Sequence, residues 1–314
     1  MEGHVEEIRE IARRLLAEDR VDVVIGFERG TLPLRASPAF IREAADADRL
    51  IWDCSCENSL ANYLPALKNQ RVAIVAKGCD SRSIVALMLE RQIQREQVTV
   101  VGIPCPRMVS HRKVIEEAEG EILYAHSEGP NLYIEGKEFK RILPTNDFLY
   151  PSCRVCTHRN PVIHDFFVGE PAEERALGED PSLEFEKLPD HERWAIFSKA
   201  VSSCIRCYAC RQACPMCYCT ECFVDSTSPK WIDKGFDLPD LQFWQIVRAF
   251  HLTGRCVGCG ACERACPMDI NLFYMHEKLN REVRTLFAFE TGTRLEAPPP
   301  LATFGPDDPQ EFIK

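Results

Sequence analysis

The sequence predicts two domains of different class, an α/β domain over residues 1–170 and a mainly α-helical domain over residues 193–290, on three observations. Strand-like and helical patterns alternate in the first half, and helical patterns alone follow in the second. Between them lies an acidic, proline-containing stretch, EPAEERALGEDPSLEFEKLPDH, with little apolar periodicity, read as a linker over 171–192. A chain of 314 residues is long enough for two such cores.

The elements follow in order. His4 to Asp19 places Val5, Ile8, Ile11, Ala12, Leu15 and Leu16 on one helical face, and Val21 to Phe27 then reads as a strand. Val72 to Ala76 and Val98 to Ile103 are short apolar runs bounded by polar or turn residues, as buried strands are. Asp80 to Gln94 reads as the crossover helix between them, so a parallel sheet is expected. Beyond the linker, Arg193–Ser202, Leu241–Leu252 and Leu272–Leu286 are helical in pattern; Pro239-Asp240 opens the second and Gly254 lies near its end. Residues 291–314, ending APPPLATFGPDDPQEFIK, are expected to be a tail that stays mobile or docks on a partner.

Composition removes several function classes. A net charge of −10, without any Lys/Arg block, disfavours binding to nucleic acid phosphates. No apolar run reaches the length of a membrane span, and MEGHVEEIREIARRLL lacks a secretory core, so a cytoplasmic protein is expected. In that compartment 17 cysteines are reduced thiols and point to metal. CxxCH is absent, which argues against covalent haem, and Gly26 and Gly30 in IGFERG lack the spacing of a dinucleotide fingerprint.

Two motifs carry the metal argument. CIRCYACRQACP supplies Cys204, Cys207, Cys210 and Cys214; CVGCGACERACP supplies Cys256, Cys259, Cys262 and Cys266. In each, the short spacing lets a loop wrap three irons of a cube while the fourth cysteine leads toward the other cluster. Cys204, Cys207, Cys210 and Cys266 are therefore expected to hold one 4Fe-4S cluster, and Cys256, Cys259, Cys262 and Cys214 a second. Zinc sites also use CxxC pairs, but have no need of this arrangement twice. Forty-one residues, including a helix with Leu241, Trp244, Val247 and Phe250, lie between Cys214 and Cys256. That spacing resembles the α-helical dicluster ferredoxin domains of the heterodisulfide reductase C subunit and the succinate dehydrogenase iron-sulfur subunit. The expected fold is thus an α/β N-terminal domain plus a mainly α-helical dicluster ferredoxin domain.

In the first half, Cys79 follows one predicted strand and Cys105 the next, so both fall on the carboxyl rim of the sheet, where ligands bind. Helix N-terminal amides would favour the thiolate of Cys79, and Cys153 and Cys156 add two more sulfurs from a loop. A third cluster on Cys79, Cys105, Cys153 and Cys156 is the reading preferred over burial of cysteine as a small hydrophobe. The run from Cys214 to Cys222 adds Cys217, Cys219 and Cys222. With Cys54 or Cys56 these could hold a fourth cluster, hold zinc, or pack without metal, and the three readings stand level.

KGCDSR, GIPCP and SCRVCTHRNPVIHDFFVG resemble, in order, blocks of the β-subunit family of deazaflavin-dependent hydrogenases and formate dehydrogenases. The resemblance implies an iron-sulfur cluster, commonly beside FAD, exchanging electrons with a deazaflavin. It makes Lys77, Asp80, Ser81 and Arg82 candidate flavin or phosphate contacts, although the same residues serve equally as a helix cap and solvated charges. Where that family follows its CxxC with an acidic-aromatic pair, this chain has Thr157 to Pro161. The expected function is an electron-transfer subunit between a catalytic oxidoreductase partner and a flavoprotein or heterodisulfide-reductase-like module. The alternatives are an FAD enzyme that splits hydride itself, and a metal-rigidified adaptor.

Overall fold

The computed structural model describes residues 2–174 and 181–300. Helix α1 (Glu2–Ala17) buries Ile8, Ile11, Ala12 and Leu15 along one stripe, the face its periodicity dictates, and leads into β1 (Val23–Arg29). β2 (Ala36–Ile41) folds back antiparallel on β1, and the two-residue β3 (Leu50–Ile51) pairs β1 as well. β4 (Val72–Ala76), every residue of which is buried, is followed by α2 (Gly78–Leu89) and β5 (Val98–Gly102). The sheet order is β2-β1-β4-β5, with β1, β4 and β5 parallel. Burying such Val and Ile side chains is worth about 1.5–3 kcal/mol each, which is why continuous apolar runs occupy its centre.

α3 (His111–Ala118) then precedes an antiparallel three-stranded sheet, β6 (Ile122–Glu128), β7 (Asn131–Gly136) and β8 (Lys140–Pro144). The sequence reading contains no such sheet, because β6 has half-exposed apolar residues and no continuous run. A single helical turn, α4 (Pro151–Arg154), follows, and β9 (Phe166–Phe167) closes the main sheet parallel to β5.

The C-terminal part carries α5 (Pro181–Glu186), α6 (Asp190–Ser202), α7 (Ala209–Gln212), α8 (Leu238–His251), α9 (Ala261–Arg264) and α10 (Phe273–Phe287). α7 and α9 are single turns, and long loops make up much of the rest. α5 and the start of α6 fall within residues 171–192, of which 175–180 lie outside the described residues. Of the expected tail, residues 301–314 also lie outside them, whereas Thr291 is buried and its carbonyl accepts from Arg82 Nε at 3.0 Å.

Candidate metal centres

Adjacent parallel strands bring two of the distant cysteines together. Ala76 and Gly102 are paired at the carboxyl ends of β4 and β5, and the chain beyond each carries Cys79 and Cys105. Loop 153–160 lies over the same rim. Cys105 N–H donates to the Arg159 carbonyl at 2.9 Å, and the Arg159 guanidinium returns two bonds to the Cys105 carbonyl at 3.1 and 3.0 Å. A Cβ on Gly78 would stand 2.0 Å from the His158 carbonyl, so only glycine lets the two segments touch. Within this knot Cys105 lies in electrostatic reach of Cys153, Cys79 and Cys156. The four sulfurs expected to act together are brought together.

Burial pushes the Cys79 thiol up, as does the Asp80 carboxylate, with Lys77 opposing. Burial also raises Cys105 and Cys156. A bound metal would displace these protons, because a coordinating thiol is deprotonated outright.

The two sequence motifs fold as copies. Two residues after the leading cysteine, Arg206 (φ 47°) and Gly258 (φ 69°) take left-handed backbone, and their N–H groups point at Cys204 and Cys256 sulfur at 3.4 Å. Tyr208 (φ 58°) and Gly260 (φ 71°) then turn the chain into α7 and α9. Cys105 ends in the same device. Arg107, two residues on, has φ 75° and directs its N–H at Cys105 sulfur at 3.4 Å. An amide aimed at sulfur favours the thiolate and orients the ligand, so the first-half site shares its local geometry with the ferredoxin-type loops.

The fourth cysteine of each copy lies near the other copy. Cys204, Cys207, Cys210 and Cys266 line one cavity, and Cys210 lies in reach of Cys262, Cys204 and Cys266. Cys256 lies in reach of Cys262 and Cys214, and Cys259 of Cys214 and Cys256. Burial lifts Cys210 to about 11, and Cys256 and Cys259 to about 12. Arg248 fits a bound cluster for a further reason: its buried Nε has no hydrogen-bond partner among the described residues, although the guanidinium lies in electrostatic reach of Cys262, Cys214 and Cys210. Cluster sulfides would supply the missing acceptors.

The remaining cysteines separate. Cys54 packs with Val109, Val114 and Leu132 under the second sheet, where burial raises it to about 11 and Ser127 contacts it. Cys56 lies in the main core beside Asp53 and Lys77, Cys217 pairs with Cys214 near Arg248, Cys222 meets Arg211, and Cys219 is exposed. Among the described residues no group of three or more His, Cys, Asp or Glu side chains could hold a metal ion. Such a group must converge on one point about 2.3 Å from each sulfur, whereas a cube takes its thiolates at separate corners.

The candidate flavin contacts are engaged within the fold. Lys77 Nζ, 1% exposed, meets Asp80 Oδ2 at 2.8 Å and the Asn58 carbonyl at 2.7 Å. Asp80 accepts from Ser59 Oγ and Leu60 N, both at 3.1 Å. Ser81 Oγ donates to the Gly78 carbonyl at 2.8 Å and accepts from Val162 N at 2.9 Å, while Arg82 reaches Thr291 and Glu290. All four brace the loops around Cys79.

Sequence reasoning missed Arg248 and Arg264, and the bonded group of Glu57, Tyr150, His111 and Arg35, in which the Tyr150 hydroxyl donates to Glu57 Oε2 at 2.5 Å. The one available signal was an arginine on the buried stripe of α8.

Comparison with known proteins decides the second half. Residues 200–270 match the 4Fe-4S dicluster domain. That domain therefore contains both motifs and the helix between them. Over 91% of its length the chain is 24% identical to the F420-dependent formate dehydrogenase subunit beta of Methanocaldococcus jannaschii, 91% of which is covered. It is also 24% identical to the F420-dependent formate dehydrogenase 1 subunit beta of Methanococcus maripaludis, over 91% of this chain and 90% of that one. Its homologues are thus beta subunits of F420-dependent formate dehydrogenases, in line with the resemblance read from KGCDSR and GIPCP. Among solved structures, a chain of the F420-reducing NiFe hydrogenase complex from Methanosarcina barkeri matches 49% of this chain and 59% of its own, with TM-score 0.40 and 15% identity. No helix among the described residues is long and apolar enough to cross a membrane.

Proposed function

We propose that this chain is the iron-sulfur electron-transfer subunit of an F420-dependent formate dehydrogenase- or hydrogenase-like complex. One observation supports the reading: Cys210 lies near Cys262, and Cys259 near Cys79, so the three expected four-cysteine sets would follow one another along the chain's interior. Loaded with 4Fe-4S clusters, these sets would supply one-electron redox chemistry. The chain's own residues fix the spacing and direct amides at sulfur. At the other end Cys207 is exposed, beside Ile205 and Met268, which suits exchange with a partner protein there.

The catalytic partner would hand over or receive electrons, and a flavoprotein or heterodisulfide-reductase-like module would complete the path. The engagement of Lys77, Asp80, Ser81 and Arg82 inside the fold supports a relay over an FAD enzyme. Iron, sulfide and acid-released flavin, counted per chain on protein purified without oxygen, test the reading. Iron for three clusters without flavin is expected. About one flavin per chain would move the two-electron step into the α/β domain, and iron for fewer than two clusters would sink the relay.

A further inference from the structure

Two arginines stand between successive cysteine sets. Arg248, on α8 and 2% exposed, donates from its Nη2 to the Cys210 carbonyl at 2.9 Å, while Cys214 and Cys262 of the next set lie in reach of the same guanidinium. Its Nη1 meets His276 Nε2 at 3.1 Å. Arg264, on α9, donates from Nη1 to the Cys259 carbonyl at 2.7 Å and from Nη2 to the Glu57 carbonyl at 2.8 Å. Its guanidinium lies 5.4 Å from the Tyr150 ring centre, three residues before Cys153, and Cys153, Cys259 and Cys79 lie in its electrostatic reach. Neither side chain pairs with a carboxylate oxygen in these bonds. Both are anchored by carbonyls, and the Glu57 carboxylate, which also lies in electrostatic reach of Arg264, offsets part of that charge.

We propose that Arg248 and Arg264 are positioning residues that set the reduction potentials of the cysteine sets they separate, Arg248 acting on the first and second sets and Arg264 on the second and third. A fixed positive charge favours the more negative, reduced partner on either side, and in a poorly solvated site that preference is large. Being shared, each charge raises two potentials together, and the second set, flanked by both arginines, is raised most. An arginine serves here better than a lysine, because its rigid fork bonds the carbonyl while presenting its charge to both sides.

The inference rests on the proposed reading that each set holds a cluster. The test is a redox titration of the full chain, followed by electron spin resonance, with each signal assigned through a Cys→Ser change in its set. Arg264→Gln is expected to lower the second- and third-set potentials, making reduction at least about tenfold less favourable, ~59 mV for one electron, while the first set stays put. Arg248→Gln is expected to lower the first and second sets and spare the third. Arg264→Lys, which keeps the charge on a shorter stem without the planar fork, shifts the same two sets by less, and it decides the matter if the Gln variant loses iron. Unchanged potentials in a variant that keeps its iron would overturn the proposal, as would a shift only in the set the arginine does not flank, or loss of iron from the Gln and Lys variants alike. A wild-type chain whose spectrum loses no signal on Cys153→Ser would instead remove the three-set reading beneath it.

Discussion

The fourth cysteine of each motif lies beside the other motif, and this placement makes a residue-level prediction. Cys266 lies in reach of Cys210 and lines the cavity shared by Cys204 and Cys207. Cys266→Ala is therefore expected to remove or convert the cluster of the first set while the Cys256 set stays intact, as followed by electron spin resonance. Loss of the Cys256 signal instead would show the ligands to be local. Gly260 offers a second prediction on separate grounds. Its φ is +71°, and a Cβ there would stand 2.1 Å from Ser152 Oγ, the side chain beside Cys153. Left-handed backbone costs a residue with a Cβ about 1–2 kcal/mol, and the contact with Ser152 adds to it. Gly260→Ala should lower the melting temperature and loosen the third set, whereas Gly235→Ala, whose Cβ would meet nothing closer than 3.3 Å, serves as the mild comparison. Part of this scale was legible in the sequence: the cysteine spacing alone pointed to Cys266 lying near Cys204, Cys207 and Cys210. The left-handed turn at Arg107 was not, because a positive φ at a residue other than glycine leaves no mark in composition.

At the scale of elements, the buried-strand runs and the helical stripes were readable because their periodicities are local. Val72–Ala76 keeps its expected bounds, and Val98–Gly102 stops one residue short of Ile103. The three-stranded sheet escaped although β7 alternates and buries Leu132 and Ile134, because β6 and β8 on either side of it bury one face lightly. α8 shows the other kind of failure. Its apolar stripe pointed to Leu241, Trp244, Val247 and Phe250, yet Phe250 is 63% exposed, and Gln245 and Arg248 are buried instead. Polar side chains occupy that face because cysteines, not aliphatic residues, lie opposite. The pairing of α8 with α10 follows from the same choice and predicts a pH response. Burial, and then the Arg248 charge, push His276 down to about 3. It is neutral in the folded chain and titrates near 6.5 when unfolded, so its contribution is fully present above that value and is lost as pH falls toward the folded value. The slope is at most ~1.4 kcal/mol per pH unit. Melting temperatures between pH 7.5 and 5.5 should fall more steeply for the wild type than for His276→Gln; parallel curves would mean that His276 does not govern the response.

At the scale of the whole molecule the two halves are tied by polar bonds that sequence patterns could not reveal, since each joins residues far apart in the chain. Arg112 Nη2 reaches the Cys266 carbonyl at 2.8 Å, Asn62 Nδ2 the Gln212 carbonyl at 2.8 Å, and Arg264 the Glu57 carbonyl. All three involve a residue that lies within one of the two cysteine motifs of the second half. The strongest in form is Arg255, whose Nε and Nη2 both meet the Glu90 carboxylate at 2.7 Å, while the Tyr218 hydroxyl donates to the same group. Glu90 caps the carboxyl end of α2, the helix whose first turn holds Cys79, and Arg255 precedes Cys256. One carboxylate thus links the helix of the third set to the loop of the second. Glu90→Gln removes the charge but keeps the shape, leaving a partly buried guanidinium with weaker acceptors, at a cost of about 1–3 kcal/mol. Because the tie spans two sets, the loss should be local to their junction. Amide hydrogen exchange is expected to speed up in residues 214–218 and 252–258 and to stay unchanged in β4 and β5. If protection fell equally throughout the chain, Glu90 would be supporting the α/β core; if it fell nowhere, the second and third sets would be held together by the Arg264 contacts alone.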